Sequence, residues 1–353
     1  MGSIRVAWWN LQNLFDTDDD PISADLEFTV AKGWTSDVYA AKLANLAAAI
    51  NELHDGQGPE LFGVCEVEGD DVFQELLDAI GNPHLKIVSD PDETSDLRGI
   101  DTSIAYDDRK LNPVEQRSHV VHLRYATRDI FEVVFEVVET GERLVAISTH
   151  WPSRTKGRWR SEPARIALAE NIAFIVRDHV RFDAERYLEL KAGGDLAAVQ
   201  ERWEAKVLIM GDLNDEPADR SLVEHLQTSS EVDRVAGTTN AIKSFKSEAI
   251  DYRGDDCFLY NASWKFLAPE NTGTYFLDAT RDEVFANRYQ VLDQIIASRG
   301  LLDPASLRLD VESVQIHNSQ TVATQPAGRP RAFDRKTKKG TSDHLPVTAI
   351  LKY

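Results

Sequence analysis

The chain has 353 residues, of which 42% are hydrophobic and 28% are charged, a composition typical of a folded globular protein. Its formal net charge of −20 argues against a protein that coats long nucleic-acid duplexes, because such proteins are basic, but not against an enzyme with a local basic patch. With only Cys65 and Cys257, the sequence indicates neither a disulfide framework nor a zinc cluster.

No membrane or export segment is predicted. The chain has no apolar run approaching the roughly 18 residues of a transmembrane helix. The apolar stretch at residues 4–9 is too short for the core of a signal peptide, and it lacks a basic start and a small-residue cleavage site. We therefore expect a cytoplasmic protein, and the sequence indicates no protein partner.

The first third of the chain alternates apolar strands with amphipathic helices. The predicted strands are residues 4–9 and 61–65, and the predicted helices are residues 39–53 and 71–80. Alanine, the strongest helix former, dominates the first helix. The two strands end at polar residues, Asn10 and Glu66.

The middle of the chain predicts a further strand, a hairpin and a long helix, at residues 102–106, 131–138 with 143–148, and 164–180. The second hairpin strand leads to His150. Residues 182–206 favour helix but are interrupted at Gly193 and Gly194. We interpret them as a helical arm or insertion rather than a separate domain.

A strongly apolar stretch follows at residues 207–210, Val-Leu-Ile-Met, and predicts a strand buried on both faces. Gly211 ends the run, and Asp212 and Asn214 come just after it. Alternate residues of an extended chain point the same way, so these two side chains can face one space. Asp and Asn are also ordinary turn residues, so this stretch alone predicts a turn equally well.

The last third begins with a loop-rich, aromatic region at residues 237–290. An apolar strand is predicted at residues 291–298, with Asp293 set into it. Residues 318–339 are basic and predicted to be flexible, and they precede the closing strand. Because no internal repeat or linker is apparent, we expect residues 1–353 to form a single domain.

Five predicted strand ends or starts carry a polar residue that is suited to a functional site. These residues are Asn10, Glu66, His150, Asp212 with Asn214, and Asp343 with His344. A single Glu or His beside a strand is usually a surface residue, but so many acids, amides and imidazoles favour one shared site. Such a set favours a hard cation, Mg²⁺ or Mn²⁺, over zinc. The histidines indicate acid–base work on an anionic substrate, and phosphoester hydrolysis fits these features.

Two dense basic stretches flank the proposed site. One follows His150 and contains Arg154, Lys156, Arg158 and Arg160; the other, residues 329–339, leads to Asp343. An isolated run of charge is more often a solvated surface loop. The position of both stretches beside the two histidines favours a rim that attracts phosphate.

The motifs taken together resemble those of the endonuclease/exonuclease/phosphatase superfamily, in the same order and over nearly the whole chain. The combination of Gly-Asp-x-Asn with Ser-Asp-His-x-Pro is quite specific, and His-Trp-Pro-Ser-Arg resembles a bacterial branch. The matching stretches are residues 9–16 (Trp-Asn-Leu-Gln-Asn-Leu-Phe-Asp), 64–68 (Val-Cys-Glu-Val-Glu), 98–101 (Arg-Gly-Ile-Asp), 148–154 (Ser-Thr-His-Trp-Pro-Ser-Arg), 211–214 (Gly-Asp-Leu-Asn), 292–295 (Leu-Asp-Gln-Ile) and 342–347 (Ser-Asp-His-Leu-Pro-Val).

The resemblance implies a four-layer α/β (α+β) sandwich, in which two mixed sheets pack face to face with helices outside. It also implies a phosphoesterase that depends on Mg²⁺ (or Mn²⁺). By position in the motifs, Glu66 is the principal metal ligand, with Asn10 and Asp343 close to the metal.

The resemblance also assigns catalytic roles. Asp212 and Asn214 position or activate the attacking water and contact the phosphate. His344 stabilises the phosphate charge or transfers a proton, and Asp293 orients His344. His150 matches a second histidine of the nuclease members.

The remaining assignments concern the second histidine and the substrate. Asp101 is the candidate carboxylate partner of that histidine. The candidate phosphate-binding or substrate-binding residues are Arg98, Arg154, Arg158 and Asn13.

Two positions depart from the family pattern. Gln12 stands where related enzymes often have an acid, so the resemblance does not carry over a second metal position. Glu68 replaces a basic residue that contacts DNA in the pancreatic-type members.

Three functions remain open on the sequence. A phosphodiesterase acting on nucleic acid is favoured by the basic stretches and the paired histidines. A phosphatase or phosphodiesterase for a phosphosugar, a nucleotide or a phospholipid headgroup is favoured by the overall acidity and by Glu68. A non-catalytic binding module is the least favoured, because binding alone would not require this full set of side chains.

Overall fold

The computed structural model describes residues 2–18, 27–89, 100–123, 127–236, 257–277 and 288–353. In chain order the strands are β1 (Ser3–Leu14), β2 (Leu61–Val67), β3 (Leu85–Val88), β4 (Asp101–Asp107), β5 (Leu111–His119), β6 (Ile130–Val137), β7 (Arg143–His150), β8 (Val207–Asp212), β9 (Thr228–Ser229), β10 (Leu259–Asn261), β11 (Tyr275–Phe276), β12 (Tyr289–Gln290), β13 (Asp293–Ala297), β14 (Arg308–Ile316), β15 (Ala323–Thr324), β16 (Arg329–Pro330) and β17 (Val347–Lys352). The helices are α1 (Ser36–Gly56), α2 (Gly69–Ile80), α3 (Arg158–Val180), α4 (Ala184–Gly193), α5 (Leu196–Trp203) and α6 (Val232–Ala236).

Two mixed sheets form the centre of the fold. The six-stranded sheet has the order β14-β17-β1-β2-β4-β3, and the seven-stranded sheet has the order β5-β6-β7-β8-β13-β10-β9. The six-stranded sheet contains one parallel pair, β1 with β2, and the seven-stranded sheet contains two, β7 with β8 and β9 with β10. The other neighbouring strands of both sheets are antiparallel. β11 pairs with β12 and β15 with β16 in separate two-stranded hairpins.

The sheets pack face to face, and helices cover their outer faces. Successive strand residues point to opposite faces, so Trp8 lies in the core between the sheets while Trp9 packs under α1 and α2. Met210 contributes to the inner core, whereas Ile209 packs against α3 on the far side. The structure therefore has the four layers expected from the sequence, and the predicted fold class is confirmed.

Several predicted regions take a more definite form in the structure. Residues 182–206 form α4 and α5, separated by Gly194, which lies in the left-handed region at φ 73°. The basic stretch expected to be flexible contains the β15–β16 hairpin. Arg98 lies outside the described residues, as do residues 237–256 and 278–287 of the predicted loop-rich region. Among the described residues, no helix has the length and apolar character needed to cross a membrane.

Candidate active site

A row of three polar residues crosses the seven-stranded sheet at the ends of neighbouring strands. Asp212, the last residue of β8, is paired in register with His150 at the end of β7. On its other side it is paired with Asp293, the first residue of β13. All three are almost fully buried. The strand register therefore brings together residues that are 62 and 81 positions apart along the chain.

Asp212 is the centre of this row. Its Oδ2 accepts a 3.0 Å hydrogen bond from Asn10 Nδ2, and its Oδ1 accepts one of 3.0 Å from the Asn214 backbone N–H. The Nε2 atoms of His150 and His344 lie 3.5 Å and 3.8 Å from the same Oδ2. Residues from both sheets thus converge on one carboxylate oxygen.

His344 is held in one orientation by Asp293. Its Nδ1 lies 2.7 Å from Asp293 Oδ2, and the other oxygen of that carboxylate accepts a 2.9 Å hydrogen bond from Trp8 Nε1. The Trp9 indole donates to the His344 carbonyl at 2.9 Å. Because Nδ1 is engaged by a carboxylate, Nε2 is directed towards Asp212 and the reaction centre.

The electrostatics of this cluster favour a mobile proton near neutral pH. Burial raises the pKa of Asp212 to about 7, against the lowering effect of the His344 charge. Burial alone would lower the pKa of His344, but the carboxylates of Asp293 and Asp212 raise it well above its usual value. An acid–base pair with these tendencies is suited to proton transfer.

A second group of oxygen donors lies on the six-stranded sheet. Glu66 has a left-handed backbone, φ 60°, and its Oε2 accepts a 3.0 Å hydrogen bond from the Asn13 backbone N–H. Its Oε1 lies 3.8 Å from His150 Nε2, which joins this group to the row on the other sheet. Burial, together with the charge of Glu66, raises the pKa of Asp343.

These donors fit a hard divalent cation. Two carboxylates that repel each other, those of Glu66 and Asp343, would be neutralised by Mg²⁺ or Mn²⁺. Asn10 Oδ1 already accepts the Gln12 N–H at 2.9 Å and retains a second lone pair. Asn10 contacts Asp212 directly, and Glu66 and Asp343 interact through their charges. The role of these three residues as metal ligands stays a prediction.

Cys65 lies close to His150 and Asp212, with potential ligand atoms within 4.8 Å of one another. Burial raises the pKa of the Cys65 thiol well above its ordinary value. Because the thiolate is the metal-binding form, this group is a poorer metal site than the oxygen donors around Glu66.

The predicted phosphate-binding arginines hold the loop that follows β8. Arg154 donates to the Asn214 carbonyl, to Asp215 Oδ1 at 2.9 Å and to Asp219. Arg158 pairs with the same Asp219. Each guanidinium therefore has a carboxylate partner, and direct phosphate binding by Arg154 and Arg158 stays a prediction.

Two further predicted residues have distinct placements. Asp101 begins β4 and is paired with Val67, the residue after Glu66. Its partnership with His150 stays a prediction. Asn13 reaches the site through its backbone N–H, which contacts Glu66.

Sequence reasoning missed two buried residues that support the site. Thr274 Oγ1 accepts the backbone N–H groups of Leu292 and Asp293, both at 3.1 Å, and its carbonyl accepts the Leu345 N–H at 2.7 Å. Lys42, which is 1% exposed, lies on the apolar face of α1. The sequence offers one signal for Lys42, which is a lysine placed one helical turn before a buried leucine. It offers no signal for Thr274.

The family model described as the endonuclease/exonuclease/phosphatase family matches residues 5–268. The chain belongs to this family. Family members are phosphoester hydrolases that depend on a divalent metal, so this chain is an enzyme of that class. No curated protein matches the chain.

Solved structures share the fold over nearly the full length. An endonuclease/exonuclease/phosphatase family protein from Bacteroides thetaiotaomicron is 17% identical, with a TM-score of 0.54 and coverage of 99% of this chain and 97% of its own. The mannosyl-6-phosphatase of B. thetaiotaomicron is 17% identical, with a TM-score of 0.52 and coverage of 99% and 100%. D. rerio TDP2 complexed with a single-strand DNA product is 11% identical, with a TM-score of 0.53 and full coverage of both chains, 100%. At such identities the similarity shows the fold alone.

Proposed function

We propose that this enzyme is a phosphodiesterase that hydrolyses phosphodiester bonds of nucleic acid by attack of water. The observation that carries the proposal is the approach of two imidazole Nε2 atoms, 3.5 Å and 3.8 Å away, to the same oxygen of Asp212. Diester hydrolysis needs both an activated water and a stabilised leaving oxygen, and one carboxylate between two histidines provides groups for both tasks.

Each residue of the site has a separate role in the proposed hydrolysis. Asp212, with a pKa raised to about 7, accepts a proton from the attacking water, which Asn214 helps to position. His344, oriented by Asp293 and strongly basic, donates to the phosphate or to the leaving oxygen. Glu66, Asp343 and Asn10 would hold Mg²⁺ or Mn²⁺, which when bound neutralises charge on the scissile phosphate.

Surface features support nucleic acid as the substrate. Trp159, at the start of α3, is 70% exposed, and the Arg158 guanidinium lies 5.1 Å from its ring centroid. A chain of contacts connects this tryptophan to the site, because Arg158 is linked through Asp219 and Arg154 to the carbonyl of Asn214. Exposed aromatic rings beside cationic groups can stack nucleobases.

A small phosphorylated substrate is the second candidate. The carboxylate partners of Arg154 and Arg158 reduce the positive charge that the rim offers to a polyanion. The net charge of −20 acts in the same direction. The mannosyl-6-phosphatase among the structures with this fold is consistent with that alternative.

A substrate panel tests the proposal. Metal-stripped enzyme would be incubated with Mg²⁺ or Mn²⁺ and with plasmid, single-stranded DNA, RNA, bis-p-nitrophenyl phosphate or p-nitrophenyl phosphate. We expect cleavage of nucleic acid and of the synthetic diester, and little cleavage of the monoester. Cleavage of monoesters without diesters would overturn the proposal in favour of the small-substrate phosphatase.

A further inference from the structure

Lys42 on α1 is a fully buried lysine whose charge interacts with Glu66 and Asp343, two of the proposed metal ligands. It is 1% exposed, and lysine is almost never buried to this extent unless its charge is compensated. Its Nζ lies 5.7 Å and 5.5 Å from the ring centroids of Trp34 and Phe333. The hydrogen-bond acceptors that the structure gives this ammonium are the main-chain carbonyls of Gln12 and Asn13, the latter at 3.2 Å.

The two carbonyls belong to a strained turn. Gln12 and Asn13 have φ values of 54° and 56°, in the left-handed region that non-glycine residues seldom adopt. Hydrogen bonds from one ammonium to both carbonyls stabilise this conformation. The same turn directs the Asn13 N–H to Glu66 Oε2 at 3.0 Å, so the contact chain runs from Lys42 to a proposed metal ligand.

The cation also interacts with the carboxylates of the site. Burial lowers the pKa of Lys42 to about 7, while the charges of Glu66 and Asp343 oppose that effect. The ammonium therefore lies within the electrostatic field of both acids. The hydrogen bonds and the charge of Lys42 predict opposite effects on metal binding. The hydrogen bonds should favour it by holding the turn, whereas a buried positive charge alone would repel a divalent cation.

We propose that Lys42 is a positioning residue for the metal site: through the carbonyls of Gln12 and Asn13 it holds the turn whose N–H orients Glu66. Lys42 does not contact substrate in this assignment. The inference rests on the metal role of Glu66 in the proposed function, but not on the choice between nucleic acid and a small substrate.

Titration calorimetry of Mn²⁺ into the metal-stripped protein, without substrate, tests the assignment. Lys42→Met keeps a long apolar side chain but removes both hydrogen bonds. We expect Mn²⁺ to bind about 10- to 100-fold more weakly, as is usual when a residue that supports a ligand is lost. At saturating metal, kcat should remain within about threefold of the wild type. Unchanged or tighter Mn²⁺ binding by Lys42→Met would overturn the proposal.

Asn45→Ala is the matched control on the same helix. Asn45 Nδ2 donates to the carbonyls of Lys338 and Gly340, at 3.1 Å and 2.9 Å, rather than to the carbonyls of Gln12 and Asn13. We expect this variant to lower the melting temperature while binding Mn²⁺ like the wild type. A loss of affinity equal to that of Lys42→Met would show that general loosening of the region suffices, and would overturn the specific role.

Lys42→Gln separates hydrogen bonding from charge and serves also if Lys42→Met does not fold. Glutamine is uncharged but keeps an N–H donor for the carbonyls, so its Mn²⁺ affinity should lie between those of the wild type and Lys42→Met. Equal affinities for Lys42→Gln and Lys42→Met would show that an N–H donor to the turn makes no difference to Mn²⁺ binding, and would overturn positioning through these hydrogen bonds. If the wild type itself binds neither Mn²⁺ nor Mg²⁺, the metal site of the proposed function fails. If all variants bind the metal like the wild type, only the role of Lys42 fails.

Discussion

At the scale of single residues, the site divides into a proton-transfer half and an oxygen-donor half. Asp212, His344 and Asp293 are connected by short polar contacts on the seven-stranded sheet side. Glu66 belongs to the other sheet, and its Oε1 lies 3.8 Å from Nε2 of His150, the neighbour of Asp212. Substitutions in the two halves should therefore change different measurable quantities.

Glu66→Gln should change the metal requirement. The substitution removes one charge from the carboxylates around the proposed metal position, so we expect the Mg²⁺ concentration for half-maximal activity to rise by about tenfold or more. Activity measured across a Mg²⁺ titration checks this. Glu68→Gln is the control, because Glu68 accepts the Asp16 N–H at 2.8 Å and lies outside the proposed ligand set. Identical Mg²⁺ dependence in the wild type and Glu66→Gln would remove Glu66 from the metal site.

His344→Ala should change turnover instead. Loss of the group that stabilises charge or transfers a proton should lower kcat by about 10²- to 10⁴-fold. Mn²⁺ binding, measured by calorimetry, should stay within about threefold of the wild type, because the imidazole is held by Asp293 rather than by the proposed metal ligands. A variant with full turnover would contradict the catalytic assignment.

At the scale of secondary-structure elements, close strand approach explains why a glycine precedes Asp212. A Cβ built on Gly211 would lie 2.6 Å from the Thr149 carbonyl oxygen and 2.7 Å from its Cγ2. β7 and β8, which carry His150 and Asp212, can therefore keep their register only with glycine at this position.

Gly211→Ala should consequently lower the free energy of unfolding by about 1–3 kcal/mol, the usual effect of forcing extra volume into a packed core. Urea denaturation measures this change. Gly193→Ala is the matched control, since its Cβ would meet nothing within 4 Å and it ends α4. We expect that control to be neutral or slightly stabilising. Equal stability of Gly211→Ala and the wild type would show that β7 and β8 separate without penalty.

A buried carboxylate joins α3 to the outer face of the seven-stranded sheet. Glu132 on β6 lies 2.8 Å from His119 Nε2 on β5 and 2.8 Å from His179 Nε2 on α3. Burial would raise its pKa, but the hydrogen bonds and charges of the two histidines lower it from 4.5 to about 2. A depressed carboxylate pKa stabilises the fold above the unfolded-state value of 4.5, and this contribution is lost as the pH falls towards 2.

Glu132→Gln should therefore be destabilising at pH values above about 4.5, by roughly 3 kcal/mol, the free energy that corresponds to the pKa change. The difference from the wild type should shrink as the pH falls through about 4.5 towards 2. Urea denaturation at several pH values measures it. Glu224→Gln is the control, because the Glu224–Arg220 pair is 58% and 57% exposed and should contribute little. A difference that does not vary with pH would contradict the linkage.

The elements that were predictable from the sequence are those with strong burial. β8, β13 and the hairpin of β6 and β7 are apolar runs, and they appear where the sequence indicated. β5 and β14 were missed because they are edge strands: β5 is largely exposed, and its ladder shifts register at Pro113. A strand buried on both faces gives a continuous apolar run that can be recognised in the sequence, and edge strands lack such a run.

The residues of the proposed site and the pairing of Asp293 with His344 were predictable from the motifs, but the partners of the arginines and of Lys42 were not. Motif order identified Asp212, His344 and Asp293, and the structure brings these three together. The carboxylates that engage Arg154 and Arg158 lie about 60 residues further along the chain, so only the folded structure reveals them. The same holds for Lys42, whose acceptors are main-chain carbonyls of a distant turn.

At the scale of the whole molecule, the distribution of charge matters more than its sum. The net charge of −20 repels a polyanion, and a local basic surface must counter that repulsion if nucleic acid is the substrate. The basic stretch at residues 329–339 is attached to the site, because the Phe333 N–H donates to Gln12 Oε1 at 2.7 Å. Lys336 and Lys339 are exposed on it.

Replacing Lys336 and Lys339 together by serine should weaken binding of single-stranded DNA while leaving kcat unchanged. Each lysine that neutralises a phosphate contributes about 0.7 to the slope of log affinity against log salt, so the double variant should lose up to about 1.4 of that slope. Fluorescence anisotropy of a labelled oligonucleotide in EDTA, over a range of salt concentrations, measures this slope.

Lys86→Ser with Lys191→Ser is the matched control, because both lysines are exposed, on β3 and α4, and the net charge changes by the same two units. Equal losses in both double variants would show that only total charge matters. A slope loss confined to Lys336 and Lys339 would identify the stretch at residues 329–339 as the path of the strand, since bulk charge is identical in the two proteins.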